Sequence, residues 1–208
     1  MQQRNPYEPP LTDLLDRKPP LHPSAPTDEL EYAGIWQRLF AYLIDAFLFM
    51  PVSGIAYFLA DQSRLFYLYW FVPGLVLGLL FHVYLVRRFG GTPGKLALKI
   101  RIALVDGSPV TTMAAMSRYA VRCTLSSLMS IAIILSSLSM SDELYFSLGY
   151  IERTKKLVEL GPSWYWAVFI LSQIWTWSGV TTMLFNKRHR AVHDYIARTV
   201  VIRSMPDT

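Results

Sequence analysis

The chain has 208 residues, of which 52% are hydrophobic and 17% are charged, and its formal net charge is +5. Soluble domains carry about 25% charged residues. Here the deficit is concentrated in long windows that are almost free of charge, a pattern typical of a protein in a lipid bilayer. The basic residues flank these windows, which favours inward-facing membrane loops over a nucleic-acid surface. The single cysteine, Cys123, excludes an intrachain disulfide.

The N-terminal segment, residues 1–33, is polar, acidic and rich in proline. It contains seven prolines and six acidic residues, and it has no apolar stretch of the kind found in a signal peptide. This composition predicts a disordered tail. Insertion into the membrane would then depend on the first apolar segment of the chain.

Four apolar segments follow, and each is long enough for a transmembrane helix of about 20 residues. The tight turn at residues 61–64 makes the first two an antiparallel helical hairpin. We therefore predict an all-α integral membrane protein, with a four-helix transmembrane bundle over residues 34–204 and a small cytoplasmic loop region. The predicted spans are residues 35–60, 65–86, 116–140 and 164–185.

The polar segments between the spans predict little regular structure. Residues 99–105 alternate like a short strand before the turn signal Asp106-Gly107, and residues 199–202 form a second strand candidate that is expected to pair with the first. A short surface helix is predicted near residues 150–160. The glycine-rich run at residues 90–95 lacks the spacing of a phosphate-binding P-loop, which excludes nucleotide binding of that kind.

The basic residues are distributed unequally over the two sides of this bundle. One side has ten Lys/Arg and the other has four, so the positive-inside rule predicts that both termini are cytoplasmic. The ten are Arg87, Arg88, Lys95, Lys99, Arg101, Lys187, Arg188, Arg190, Arg198 and Arg203; the four are Arg64, Arg153, Lys155 and Lys156.

Two charged residues lie inside the first predicted span. Arg38 and Asp45 are seven residues apart, about 10 Å along a helix, and share one face. An unpaired Asp near the bilayer midplane costs about 3 kcal/mol. Asp45 therefore either exchanges a proton for a cation or is locked in an ion pair. Arg38 is too far along its own helix to be that partner. Arg118 or Arg122, however, can approach Asp45 or Asp194 from the third span. We therefore predict a charged cluster of these five residues on the cytoplasmic side.

The segment after the fourth span is basic. His189 and His193 are four residues apart, as in some metal sites, but no third ligand is evident and the neighbouring arginines oppose a cation. His193-Asp194 is the only pair that resembles a catalytic one, so neither an enzyme nor a cofactor is expected. The preferred interpretation is contact with anionic lipid headgroups, for which the candidate residues are Arg87, Arg88, Lys95, Lys187, Arg188 and Arg190.

Several short motifs occur together in a characteristic order. They are Gly34-Ile35-Trp36-Gln37-Arg38-Leu39-Phe40-Ala41-Tyr42-Leu43-Ile44-Asp45, then Gly91-Thr92-Pro93-Gly94-Lys95, Asp106-Gly107, Arg118, and His193-Asp194-Tyr195-Ile196-Ala197-Arg198-Thr199. This set resembles the RDD family of bacterial membrane proteins, named for an Arg and two Asp, over residues 33–202. The resemblance assigns the named triad to Arg38, Asp45 and Asp194. The chain departs from the family in its fourth span, since many members look like three-span proteins, and in Arg198, where a glycine is common.

The resemblance implies a location, the bacterial inner membrane, more than an activity. Some members of the family have been proposed as sodium/proton antiporters, which makes a cation/proton antiporter or transport-associated protein using Asp45 one expectation. The alternative is a non-catalytic membrane module that binds anionic lipid or a partner protein through the charged Arg/Asp cluster. A second copy of the chain or another membrane protein would be the protein partner, and no nucleic acid is expected.

Overall fold

Four helices long and apolar enough to cross a membrane form most of the protein. The structure, a computed structural model, describes residues 30–186 and 189–204. In chain order the elements are α1 (Ile35–Gln62), α2 (Phe66–Leu79), a π-helical turn (Leu80–Tyr84), α3 (Leu85–Phe89), α4 (Pro93–Ala97), β1 (Ile100–Leu104), α5 (Thr112–Ser139), α6 (Asp142–Ser147), α7 (Tyr150–Glu159), α8 (Tyr165–Phe185), α9 (Val192–Ile196) and β2 (Thr199–Arg203).

The four predicted spans are confirmed as α1, the continuous run from α2 to α3, α5 and α8. Only 11–22% of the residues in their most apolar windows are buried inside the protein, so most of their apolar surface faces outward, as a lipid environment requires. The third span begins at Thr112, four residues before its predicted start. Its N-cap is Thr111, whose hydroxyl accepts a hydrogen bond of 3.2 Å from the backbone amide of Ala114.

The second span ends at Gly90, whose left-handed backbone conformation is easily adopted only by a residue without a side chain. Gly90 has a φ of 80° and its amide donates to the carbonyl of Val86 at 3.0 Å, which closes the last turn of α3. Thr92 and Pro93 then start the short helix α4, with Pro93 in its first turn. The chain thus packs against the bundle through α4 before β1 begins.

The two strand candidates pair as predicted. β1 and β2 are antiparallel, with Ile102 opposite Val201. Residues 31–33 also join this sheet, because the Ala33 amide donates to the carbonyl of Val201 and the carbonyl of Glu31 accepts from the Arg203 amide, each at 2.9 Å. Backbone pairing therefore places residues 31–33, the last three residues of the predicted tail, beside β2. Residues 1–29 of that predicted tail lie outside the described residues.

The sheet packs against one end of the bundle, which we call the basic end: α1 begins there at Ile35, α3 ends at Phe89, α5 begins at Thr112 and α8 ends at Phe185. One cluster of buried apolar side chains joins the sheet to the spans. Its members come from the chain before α1, from α1, α3 and α5, and from both strands: Ala33, Ala41, Val86, Ile100, Ile102, Val110, Ala114, Ala115 and Val201.

The other end of the bundle, which we call the opposite end, is covered by α6 and α7. The fully buried Tyr145 donates from its hydroxyl to the carbonyl of Ala60 at 2.6 Å, and the guanidinium of Arg153 lies over the Tyr145 ring at 4.4 Å. The helix predicted near residues 150–160 is thus confirmed as α7. Sequence reasoning missed α6, although Ser141 is a good N-cap and acidic residues follow it in the first turn.

Candidate functional site

Asp194 is the centre of a buried ionic cluster at the basic end. Its side chain is 0% exposed. Oδ2 accepts from Arg38 Nη1 at 3.2 Å and from the amide of Ala191 at 2.9 Å. Oδ1 accepts from Arg118 Nη1 and from Thr199 Oγ1. One carboxylate in α9 therefore connects α1, α5 and β2.

Arg118 extends this cluster to a histidine. Its Nη1 also donates to Thr199 Oγ1 at 2.7 Å, and its Nη2 lies 3.1 Å from Nε2 of His193. A guanidinium can only donate, so Nε2 accepts and the ring is neutral. Burial and the charge of Arg118 lower the pKa of His193 to about 3.

The charge balance of this cluster is positive. Burial opposes the ionisation of Asp194, but the charges of Arg118 and Arg38 outweigh it and lower the pKa of Asp194 to about 2. Two guanidinium groups therefore face one ionised carboxylate. Arg38 also donates to the carbonyl of Ala33 at 3.4 Å, and its buried Nη2 has no hydrogen-bond partner among the described residues.

Asp45 is apart from this cluster and forms no ion pair with an arginine among the residues that the structure describes. Its side chain faces the start of α4, where Oδ2 accepts from Thr92 Oγ1 at 2.6 Å and Oδ1 accepts from the amide of Gly94 at 2.7 Å. Lys95 Nζ in turn donates to Thr92 Oγ1 at 3.3 Å. The carboxylate of one helix thus caps the N-terminus of another, where negative charge is stabilised.

The close approach of α4 to α1 depends on Gly94. A Cβ at this position would collide with the carbonyl oxygen of Ala41 and would lie 2.8 Å from Asp45 Oδ1. Any larger residue would therefore push α4 away and remove the amide that Asp45 accepts. The sequence Thr92-Pro93-Gly94 supplies the hydroxyl, the helix start and the open space that this contact requires.

A family model described as RDD family matches residues 32–198, a range that contains both buried carboxylates and Arg38. The chain belongs to the RDD family. Among curated proteins and among solved structures, no match was found. The RDD match and the four apolar helices together identify a membrane protein.

The geometry divides the predicted five-residue cluster of this RDD protein. Arg38 and Arg118 meet Asp194, so of the two alternatives for Arg118 the structure has the one with Asp194. Within the described residues Asp45 forms no ion pair with an arginine; its two oxygens accept from Thr92 and Gly94 instead. Arg122 is exposed on α5 and forms no ion pair within the described part of the chain.

The candidate lipid-headgroup residues of the RDD chain also divide. Arg87 and Arg88 are exposed. Lys95 is directed inward to Thr92, and Arg190 stacks over the Tyr195 ring at 4.2 Å while it donates to two backbone carbonyls. Both residues therefore use part of their donors inside the protein. Lys187 and Arg188 lie outside the described residues.

The two ends of this RDD protein differ in how their cations are paired. At the opposite end, three of the four basic residues form ion pairs: Arg64 with Asp142 at 2.7 Å, Arg153 with Asp61 at 2.9 Å, and Lys156 with Glu159 at 2.9 Å. At the basic end, the exposed cations that form no ion pair within residues 30–186 and 189–204 are Arg87, Arg88, Lys99, Arg101 and Arg198. Among the described residues, exposed cations without an ion pair are therefore more numerous at the basic end.

Four partners of the buried acids are absent from the sequence-based set of site residues: Thr92, Gly94, Ala191 and Thr199. For Thr92 and Gly94 a local signal exists, since Thr-Pro is a typical N-cap and first-turn pair. Thr199 lies in one of the short motifs, but only the pairing of β1 with β2 brings its hydroxyl to Arg118.

Proposed function

We propose that this protein is a non-catalytic module of the bacterial inner membrane that binds anionic lipid headgroups at its basic end, which faces the cytoplasm. The unequal pairing of cations at the two ends carries the proposal. A Lys or Arg near an anionic membrane surface contributes about 1 kcal/mol of attraction, and only an unpaired side chain contributes this in full. The basic end has five such exposed side chains among the described residues, and the positive-inside rule gives the same orientation.

The buried ionic cluster has a supporting role in this function. Arg101 lies on β1 between the buried Ile100 and Ile102, so its side chain is directed away from the core. Asp194 fixes α9 and β2 to the spans through Arg38 and Arg118. The cluster therefore holds the cation-bearing sheet in place beneath the headgroups.

The test compares lipid binding to two variants with equal loss of charge. The purified protein in detergent is titrated with phosphatidylglycerol or phosphatidylcholine, and stabilisation against heat is measured. We expect Lys99→Gln with Arg101→Gln to weaken the response to phosphatidylglycerol roughly thirtyfold, because two surface attractions of about 1 kcal/mol each are lost. Lys155→Gln with Lys156→Gln, at the opposite end, is the control. Equal effects of the two double variants, or equal stabilisation of the wild type by both lipids, would contradict the proposal.

A second candidate function is cation/proton exchange at Asp45. One observation favours it: a carboxylate that is 8% exposed lies within a span and has no arginine partner among the described residues. Against it, each of its oxygens already accepts a hydrogen bond from inside the protein. Everted vesicles that contain the wild type or Asp45→Asn decide the question. If cation-dependent proton release is the same in both, Asp45 is not an exchange site.

A further inference from the structure

An apolar groove runs along the bundle between the second span and the start of α5. It has a volume of about 400 Å³. Its walls include Val76, Leu80 and Val83 from the second span and Met116 from α5. Val76, Leu80 and Met116 are 47–51% exposed, so the groove is open to the surroundings of the bundle. In a membrane, these surroundings are lipid chains.

The surface of the groove is almost entirely apolar. Arg87, in α3, and Thr112, the first residue of α5, line it near the basic end. Val76 and Arg87 are eleven residues apart, which corresponds to about 16 Å along a helix, or half of the roughly 30 Å hydrocarbon core. The apolar part of the groove therefore spans about one leaflet, and its charged end lies at the level of the headgroups.

Resting on the proposed function, we propose that this groove is a specific site for a glycerophospholipid with an anionic headgroup. One acyl chain lies along Val76, Leu80 and Val83. The phosphate accepts hydrogen bonds from the guanidinium of Arg87, whose planar donors match two phosphate oxygens. The N-terminus of the 28-residue helix α5, at Thr112, adds the favourable end of a helix dipole.

Arg87 is suited to this role because nothing else in the described part of the chain neutralises it. It forms no ion pair there, whereas the guanidinium of its neighbour Arg88 lies 5.9 Å from the centre of the Phe89 ring and does not line the groove. The two arginines have the same charge and adjacent positions. They therefore provide a matched pair for an experiment.

The shape of the wall depends on the π-helical turn. Leu80, Val83 and Tyr84 all belong to that turn and all line the groove. A π-helical turn is rare in helices and is frequent at functional sites. Part of the groove wall that would contact the acyl chain is therefore formed by the π-helical turn.

The experiment uses phosphatidylglycerol with a photoactivatable group in one acyl chain, in nanodiscs of phosphatidylcholine that contain the full-length protein. After illumination, mass spectrometry locates the labelled peptides. We expect labels at residues 76–87 and 112–116. Arg87→Gln should reduce this labelling about fivefold, the effect of one surface cation, whereas Arg88→Gln should leave it unchanged. Soluble glycerol phosphate should not compete, because it lacks the acyl chain.

A second variant tests the apolar part independently of charge. Met116→Trp fills the groove while it keeps Arg87, and it should also reduce labelling at residues 76–87. Equal losses from Arg87→Gln and Arg88→Gln, or labels elsewhere on the bundle, would overturn this site. In that case a preference of the wild type for phosphatidylglycerol over a phosphatidylcholine probe would still support the proposed function. The absence of any such preference would overturn both proposals.

Discussion

The hydroxyl of Thr92 donates a hydrogen bond of 2.6 Å to the carboxylate of Asp45, across 47 residues of sequence. Together with the Gly94 amide, it gives an acid within a span two internal donors, and no arginine among the described residues pairs with it. Asp194 is bound in a different way, by Arg38 and Arg118. Each acid joins the spans to the segments that pack on the basic end.

Gly94→Ala should destabilise the protein by about 1–3 kcal/mol, the usual effect of overpacking, because the new Cβ meets the backbone carbonyl of Ala41. Equilibrium unfolding in mixed detergent micelles measures this change. Gly54→Ala is the control, since a Cβ there has no atom within 4 Å. Similar stabilities for the two variants would show that α4 does not need to approach α1 so closely.

Asp194→Asn should destabilise the protein by about 3–5 kcal/mol, because it leaves the buried guanidinium groups of Arg38 and Arg118 without their anion. The same unfolding measurement applies. Asp106→Asn is the matched control, since the Asp106 carboxylate bonds only to the nearby Ser108 at an exposed turn. A loss below about 1 kcal/mol for Asp194→Asn would contradict the ionic cluster as described.

Stability should decrease as the pH falls below about 6.5. The pKa of His193 is lowered from 6.5 to about 3, so the unfolded chain binds a proton that the native protein excludes. This contribution is complete above pH 6.5 and is lost as the pH falls towards 3. The lowered pKa of Asp194, about 2, adds a similar loss below its ordinary value of 3.8.

The His193→Gln variant separates these two contributions. Glutamine still offers an acceptor to Arg118 but does not titrate, so the decrease between pH 6.5 and 3.8 should become shallower than in the wild type. Thermal unfolding at a series of pH values provides the measurement. Identical profiles for both proteins would show that His193 is not held neutral by burial and by Arg118.

Much of the fold could be predicted because hydropathy and strand alternation are local signals. The four spans and the pairing of residues 99–105 with residues 199–202 both follow from such patterns. The predicted third span begins four residues after the start of α5, because hydropathy locates the apolar part of a helix and not its capped first turn. The π-helical turn at Leu80–Tyr84 has no signal of its own in the sequence.

The partners of the buried acids were less predictable, because they depend on long-range packing. Two turns of helix separate Arg38 from Asp45, which correctly excluded that pair. The choice among Arg118, Arg122 and a hydroxyl for Asp45 depends on where α4 lies against α1. That placement follows from the missing side chain of Gly94, and its consequence is visible only in three dimensions.

Lipid selectivity of the wild-type protein tests the central proposal most directly. The protein is equilibrated with equal amounts of phosphatidylglycerol and phosphatidylcholine, and native mass spectrometry counts the lipids that remain bound. We expect phosphatidylglycerol to be retained about fivefold or more over phosphatidylcholine, with a smaller preference at high salt, which screens exposed charges. Retention of the two lipids in equal amounts would contradict a membrane module that binds anionic lipid at its basic end.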